Sequence, residues 1–156
     1  MKMKVVHVGC GNTILPNAVN IDYIRPFKYI RYPKIANIMC HMGLLSRTGY
    51  QLIQDLYPVR EFIKWGRATN LPVKDEDADI VYSSHMMEHL THEEAEQFLK
   101  EVLRILKSGG GFRLVLPDLQ HYINRYCKNH DADEFLRKTY LTSSDSWGVE
   151  KIFGTK

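Results

Sequence analysis

The sequence predicts an α/β protein with a doubly wound, mostly parallel sheet. Three observations support this class. Short apolar runs alternate with helical patterns along the 156 residues, a glycine turn follows the first run, and the second run ends on a carboxylate. Such alternation indicates βαβ units, in which helices cover both faces of a parallel sheet. Ligands of these sheets bind beyond the carboxyl ends of the strands.

The first half of the chain predicts three strands and a long insertion. Apolar runs that end at Val8 and Asp22 predict two strands, and Pro58 stops a run of helical spacing that begins near Tyr50. The link from the second strand to the third is about twice the length of a simple crossover. We therefore expect residues 23–64 to form a lid or a substrate-contacting insertion. The predicted elements are strands over 4–8 and 18–22, an irregular loop over 25–34 because of its prolines, helices over 35–45 and 50–57, a weak strand over 62–65, and a loop over 66–72.

The second half opens with the clearest strand, which is apolar and β-branched as expected for a strand covered on both faces. Thr91 and Glu94 then form a capping box in front of an apolar helical face. The glycines from Gly109 to Gly111 are expected to end this helix with a left-handed cap. The predicted elements are strands over 79–84 and 112–116 around that helix, helices over 119–128 and 133–141, and a short strand over 149–153.

The glycine turn and the strand-end acid predict a site for a ribose. Gly9 and Gly11 allow close backbone approach, and Asp22 can accept two hydrogen bonds from a ribose diol. The dinucleotide pattern G-x-G-x-x-G fits poorly, because Ile14 stands at its third glycine and Pro16 follows. A ligand with a ribose but no pyrophosphate, such as S-adenosylmethionine, suits the turn better. The structural alternative is a turn that merely closes a βα unit.

Five segments between Val5 and Leu119 resemble the class I S-adenosylmethionine-dependent methyltransferases, and most closely the small bacterial type 11-like group. The turn after the fourth strand and the run before the fifth are the most specific of them. The resemblance implies a Rossmann-like methyltransferase fold with S-adenosylmethionine as cofactor. The segments are VVHVGCGN, ILPNAVNID, GRATNLPV, DADIVYSSHMMEHL and EVLRILKSGGGFRLVLPDL.

The resemblance also implies a role for each matching position. The glycine turn would pass under the methionine part of the cofactor, Asp22 would bind the ribose and Tyr23 would pack on the adenine. Residues 68–71 would line the adenine, and residues 83–85 would border the methyl group. The cofactor-binding residues implied in this way are Gly9, Cys10, Gly11, Asp22, Tyr23, Ala68, Thr69, Leu71, Ser83 and Ser84.

Two departures from the family pattern affect the expected function. Arg67 stands where the family has an aspartate that accepts a bond from the adenine amino group, and an arginine cannot accept it. After the fifth strand and its helix the family adds a hairpin, whereas residues 143–156 leave room for one short strand. We therefore expect the C-terminal hairpin to be short or missing: either the chain is a fragment, or the sheet ends early and a homodimer covers that edge.

His85 is the predicted catalytic residue. Methyl transfer depends mainly on alignment, and a base is needed only if the acceptor must lose a proton. His85 follows the fourth strand, and the pKa of a free imidazole lies near working pH. The structural alternative is a hydrogen bond that fixes the turn. Glu88 and His89, one step further on, are interpreted as structural or cofactor-contacting.

Length and composition predict a single domain over residues 1–156, located in the cytoplasm. No run of eighteen apolar residues occurs, so no membrane span is expected. The three cysteines form no CxxC pair, so we expect neither a disulfide framework nor a metal site.

Positive charge is concentrated in and beside the predicted insertion. Between Tyr23 and Arg67 eight basic residues face two acids, a net charge of +6 in a chain whose formal net charge is +3. This excess favours an anionic small-molecule partner, while a solvated basic face is the plain alternative. Nucleic acid is a minor option, because no arginine-rich or aromatic-interleaved motif is present.

Two classes of function fit these observations. The first is methyl transfer from S-adenosylmethionine to a small anionic or sugar-type acceptor. The second is a cofactor-binding remnant without turnover that serves as a regulatory or assembly partner. The glycine turn, Asp22 and the turn after the fourth strand favour the first, whereas Arg67 and the short C-terminus favour the second. A dehydrogenase is a distant third.

Overall fold

The computed structural model describes residues 3–139, and the chain divides into two compact units, Met1–Leu116 and Pro117–Lys156. The strands of the first unit are β1 Val5–Val8, β2 Ala18–Asp22, β3 Ile63–Trp65, β4 Ala78–Ser84 and β5 Leu106–Val115. Its α-helices are α1 Arg25–Tyr29, α2 Pro33–His41, α3 Arg47–Leu56 and α4 His92–Ile105, with 3₁₀ helices at Tyr57–Phe62 and Met87–His89. In the second unit the described helices are α5 Leu119–Asn129 and α6 Ala132–Thr139.

The five strands form one sheet in the order β3-β2-β1-β4-β5, and every pair is parallel. The chain winds from β1 outward to β3 and then crosses to β4 on the other side of β1. The strand order therefore reverses between β1 and β4, which is where doubly wound sheets bind ligands. The predicted fold class is confirmed.

The sheet is held by apolar side chains from its central strands and from α4. Val6 and Val81 are fully buried, and so are Phe98 and Ile105 on the inner face of α4. Fully burying a side chain of this size stabilises the fold by about 1.5–3 kcal/mol. A smaller cluster of Phe27 with Cys10, Ile30 and Ile63 packs α1 against β3.

The segment after β2 is helical where an irregular loop is expected, so the prediction for residues 25–34 is wrong. Pro26 lies in the first turn of α1, and Pro33 is the first residue of α2. A proline at this position costs the helix nothing, because the first N–H groups have no intrahelical partner and the ring already holds a helical φ. These prolines start helices and do not interrupt them. The prediction of α3, with Pro58 just beyond its end, is confirmed.

The glycines after α4 do not cap it, which corrects a second expectation. The capping box of Thr91 and Glu94 is present, but the helix ends at Ile105 and Leu106 is already extended. Leu106 pairs with Ala78, and the next pair along the two strands joins Gly111 to Ile80. The intervening residues bulge out of the ladder, with Gly109 at a φ of +78°. Pairing with β4 thus prevails over the local tendency of glycine to end a helix.

The remaining predictions on secondary structure agree with the described residues or lie outside them. The strand over 18–22 and the two helices of the second unit are found as expected. The short strand over 149–153 and the C-terminal hairpin fall outside the described residues, and the single domain stays a prediction. No helix among residues 3–139 is long and apolar enough to cross a membrane.

Candidate functional site

Four segments with unusual residues meet at the carboxyl edge of the sheet. The glycine turn leaves β1, Asp22 ends β2, the loop over residues 66–72 leaves β3, and a strained turn leaves β4. Val8 pairs with Ile21 on one side and with Ser83 on the other, so these strand ends are neighbours. The residues singled out in the sequence therefore lie together at this edge of the sheet.

The glycine turn points its amide groups into the protein. The amides of Gly9 and Cys10 both donate to the Ile21 carbonyl, at 2.9 and 3.3 Å. The Gly11 amide donates to Asp22 Oδ2 at 2.7 Å. A turn that binds phosphates presents such N–H groups to the ligand. In this chain all three are already engaged.

Asp22 joins the turn to the end of β2 and still has acceptor capacity. Its Oδ1 accepts from the Ile24 amide at 3.1 Å, while Oδ2 accepts from Gly11. A carboxylate has about four lone-pair positions, so about two remain for other donors. A side chain added at Gly11 would meet no atom within 4 Å, so the space above the turn is open. An acceptor beside open space is the geometry that a ribose diol requires.

Gly9 is required because Met86 lies against it. Its φ is +71°, and a side-chain carbon at this position would stand 2.6 Å from Met86 Cβ. Any larger residue would displace the turn after β4. The two turns are therefore packed together at the point where the strand order reverses.

A column of cations and rings covers the ends of β2 and β3. The rings of Tyr23 and Trp65 stack at 4.9 Å between centroids. The Arg67 guanidinium lies 4.5 Å from the Tyr23 centroid, and Lys28 Nζ lies 5.3 Å from that of Trp65. Both rings remain partly exposed, Tyr23 at 47% and Trp65 at 38%. The ring expected to receive adenine is thus covered by Arg67.

A partly buried ion pair ties the loop after β3 to α4. Arg104 donates to both carboxylate oxygens of Glu101 at 2.7 Å, and it also donates to the carbonyls of Leu71 and Val73 at 3.1 and 3.0 Å. Glu101 accepts the Leu71 amide at 2.7 Å. Its bonds with Arg104, together with that amide bond, lower the pKa of Glu101, although burial opposes the shift.

Glu101 and Arg104 were not identified as site residues from the sequence. Through their bonds to Leu71 and Val73, they position the loop that carries three implied cofactor-binding residues. The available indication was a glutamate on the apolar face of α4, next to Val102, with an arginine three residues later. Such a glutamate is rarely buried unless it is paired.

The turn after β4 holds an unpaired carboxylate and a strained histidine. Among the described residues, neither oxygen of Glu88 accepts a hydrogen bond although both are buried. His85 Nδ1 lies 3.6 Å from Glu88 Oε1, too far for a hydrogen bond, and its side chain is 60% exposed. His85 has a φ of +52°, a conformation that non-glycine residues hold mainly where surrounding structure enforces it.

The structure brings the predicted site residues to one edge but does not expose all of them. The side chains of Cys10, Leu71 and Ser83 are buried, so only their backbone can face a ligand. Burial raises the pKa of the Cys10 thiol to about 12, so it is not a nucleophile at neutral pH. Their roles in binding stay predictions, as do those of the other implied residues.

Behind the turn, His7 and Asn20 form a buried polar pair. Asn20 Oδ1 accepts the Leu15 amide at 2.9 Å and lies 3.3 Å from His7 Nδ1. The amide nitrogen of Asn20 donates to three carbonyls, including that of Phe62. Asn20 therefore fixes the chain between β1 and β2. Burial lowers the pKa of His7, while Asn20 and the nearby Asp22 charge oppose that shift.

Comparison with known proteins agrees with the resemblance to methyltransferases. Residues 44–114 match the family model of a methyltransferase domain. No curated protein matches the chain. Among solved structures, a protein from Pyrococcus horikoshii is 20% identical with a TM-score of 0.54. The aligned region covers 82% of this chain and 55% of that protein. An S-adenosylmethionine-dependent methyltransferase from Thermotoga maritima is 18% identical with a TM-score of 0.52. This alignment covers 89% of this chain and 64% of that protein.

At these identities the solved structures establish the fold, and the chain spans less than two thirds of either one. The segment that matches the methyltransferase domain contains the loop after β3, β4 with its turn, and α4. The cofactor of that family is S-adenosylmethionine, as the resemblance implies. Residues 44–114 are therefore similar to a methyltransferase domain, which agrees with the family that the sequence resembles.

Proposed function

We propose that the protein transfers a methyl group from S-adenosylmethionine to a small acceptor. The observation that carries the proposal is the carboxylate of Asp22, which holds the Gly11 amide at 2.7 Å and keeps free acceptor positions beside open space. A ribose diol donates two hydrogen bonds and satisfies this geometry. The methyltransferase domain in residues 44–114 supports the same cofactor.

The inward amides of the glycine turn favour this cofactor over a dinucleotide. A pyrophosphate needs free N–H donors and is repelled by a nearby carboxylate. The turn supplies three engaged amides and the negative charge of Asp22. S-adenosylmethionine carries a ribose but no phosphate, so neither feature opposes it.

Glu88 fits a cofactor that carries positive charge. S-adenosylmethionine supplies a methyl group on a sulfonium, together with an α-ammonium group. A buried carboxylate with no hydrogen-bond donor is unfavourable by itself, and a cationic ligand group would remove that cost. Glu88 lies in the turn whose Met86 packs on Gly9, close to the predicted path of the cofactor.

We propose that His85 takes a proton from the acceptor. Its ring is 60% exposed, so an acceptor can reach it, and the Glu88 carboxylate lies 3.6 Å from Nδ1. An acceptor hydroxyl or ammonium group must lose a proton, whereas a thioether need not. The pair therefore favours an oxygen or nitrogen acceptor.

We further propose that the acceptor is anionic or sugar-type and that the protein acts in the cytoplasm. The net charge of +6 between Tyr23 and Arg67 supports an anion, because this segment adjoins the site at Asp22 and at the loop after β3. Such attraction is screened over about 8 Å at physiological salt. Turnover on the true acceptor should therefore show a KM that rises with salt while kcat changes little.

A remnant that binds the cofactor without turnover is the second candidate, and the position of Arg67 favours it. The guanidinium occupies the face of Tyr23 and replaces the expected acceptor for the adenine amino group. In either case we propose a homodimer over the edge strand β5; Leu116, the residue after this strand, is 49% exposed.

Calorimetry with S-adenosylmethionine, its demethylated product and NAD tests the cofactor. We expect the first two to bind and NAD to fail. Asp22→Ala should weaken binding at least about tenfold, because each lost charge-assisted bond contributes about 1.5–3 kcal/mol. Asp118→Ala, which removes a helix-capping carboxylate in the second unit, is the matched control. Unchanged affinity of Asp22→Ala would remove this residue from the site.

Turnover is tested separately by homocysteine release in a coupled assay over nucleotide sugars, glycans and small acids. Release with any acceptor, abolished in His85→Ala, supports methyl transfer. Cofactor binding with no release across the panel would favour the remnant.

A further inference from the structure

The outer face of α2 carries an apolar stripe that the described part of the chain leaves exposed. Ile35, Ile38 and Met42 are 50%, 59% and 67% exposed, and we call these three residues the α2 stripe. Tyr32 before the helix and Leu44 after it are also about half exposed. Single exposed apolar residues are ordinary, but five of them within thirteen residues, three on one side of a helix, are not.

The stripe is a genuine second face of α2, because the opposite face is packed. At about 100° per residue, the three side chains lie within about 60° of one another around the helix axis. Ala36 points the other way and is completely buried in a cluster with Ile53 of α3. The side of α2 that packs on the rest of the protein is therefore the side of Ala36, and the stripe takes no part in that packing.

Unpaired positive charge surrounds the stripe in the sequence. Arg31 and Lys34 flank its first residue, and Arg47 begins the next helix. Within residues 3–139, none of the eight basic residues between Tyr23 and Arg67 forms an ion pair. One of the two acids in that stretch, Asp55, already accepts a bond from Gln51 at 2.9 Å.

We propose that the α2 stripe and the cations around it dock on the anionic surface of a membrane. Aliphatic side chains in a row on one helix enter the boundary between headgroups and acyl chains. Lysine and arginine beside them keep their charge at the headgroup level while their stems stay in apolar contact. The charge of the segment is complementary to anionic lipid, and the proposal does not depend on methyl transfer.

Two other occupants fit the observations less well. A second copy seated by two-fold symmetry would pair this patch with itself and set cations against cations. Nucleic acid would use the cations but gains little from isoleucine and methionine, since its bases stack on aromatic rings. An acidic protein would match both the charge and the apolar stripe, so the experiment must distinguish it from lipid.

Vesicle flotation of the full chain tests the proposal. The vesicles consist of phosphatidylcholine alone or mixed with phosphatidylglycerol. We expect binding only to the mixed vesicles, with a fall at 1 M salt, where the Debye length drops to about 3 Å. Arg31→Gln with Lys34→Gln should weaken binding by about fivefold for each charge removed.

The apolar contribution is tested with the triple variant Ile35→Ser, Ile38→Ser and Met42→Ser. It should weaken binding at least about tenfold. The matched control is Leu99→Ser with Leu103→Ser, two exposed leucines on α4 that should leave binding unchanged. Unfolding temperatures identify any variant that fails to fold. In that case Ile38→Trp and Leu103→Trp replace the serine variants, and brominated lipid should quench only the first.

Four outcomes would overturn the proposal. These are no binding to mixed vesicles, equal binding to both kinds, equal losses in the stripe and control variants, and equal quenching of the two tryptophans. Sedimentation without lipid adds a fifth, since self-association abolished by the triple variant would make the stripe an interface between copies. Binding of the acidic protein α-lactalbumin that exceeds binding to mixed vesicles would likewise contradict the choice of lipid.

Discussion

The ion pair between Glu101 and Arg104 yields the sharpest prediction on stability. Glu101→Gln keeps the shape and one carbonyl acceptor, but its amide group would face the N–H donors of Arg104. One of the two charge-assisted bonds of 2.7 Å between Arg104 and residue 101 is then lost, and the new NH₂ group faces an N–H donor of Arg104. A bond to a charged group contributes about 1.5–3 kcal/mol, and breaking a buried pair costs about 3–5 kcal/mol.

We expect Glu101→Gln to lower the free energy of unfolding by about 2–4 kcal/mol at pH 7, because Arg104 is about one third exposed and keeps its other acceptors. Urea unfolding followed by circular dichroism measures the change. The control is Glu96→Gln on the same helix, whose contact with His92 is exposed and should contribute almost nothing.

The pH dependence gives an independent check on the same pair. Arg104 and the Leu71 amide hold the pKa of Glu101 below its unfolded value, so the stabilisation is complete above that value, about 4.3. It is lost as pH falls through the lower, folded pKa. The difference between wild type and Glu101→Gln should therefore narrow in acid. A difference below about 1 kcal/mol at pH 7, or one unchanged at low pH, would refute the reasoning.

Four further predictions concern the site and the assembly. Arg67→Asp should tighten S-adenosylmethionine binding by about 0.5–1.5 kcal/mol, since it uncovers Tyr23 and restores an acceptor; weaker binding in calorimetry would mean that Arg67 contacts the ligand. Glu88→Gln should weaken S-adenosylmethionine binding, since it removes the buried charge that a cationic ligand group would meet, and unchanged affinity in calorimetry would remove Glu88 from the site. Stability should fall as pH drops below about 6.5, where the unfolded chain binds a proton that buried His7 resists, and His7→Gln should reduce this dependence. Sedimentation at micromolar concentration should detect a dimer, and a monomer that binds no hydrophobic dye would exclude it.

The sheet was predictable because its pattern is local and repeated. Strands that end at Val8, Asp22 and Ser84 each combine β-branched residues with a turn directly afterwards, so the sheet and the edge where these turns lie follow from short stretches of sequence. The capping box of Thr91 is equally local. Each of these features needs only residues within about one turn of one another.

The incorrect or missing predictions concern positions whose structure depends on residues that are distant in the sequence. Pro33 begins a helix because α2 packs on α3, whereas the sequence alone shows a proline among aromatics. Gly109 bulges within β5 because β4 supplies a pairing partner. The cover that Arg67 places on Tyr23, and the bond from Arg104 to Leu71, join residues that are far apart in the sequence. No periodicity reports such pairs.

The inward-facing amides of the glycine turn have a consequence for selection among nucleotides in a cell. ATP and the dinucleotide coenzymes share an adenosine with S-adenosylmethionine and are abundant competitors. In many sheets of this kind the turn after β1 attracts their phosphates, whereas here its donors are engaged and Asp22 adds a negative charge. The same bonds that hold the turn in place therefore discourage the commonest wrong ligands, without any steric barrier.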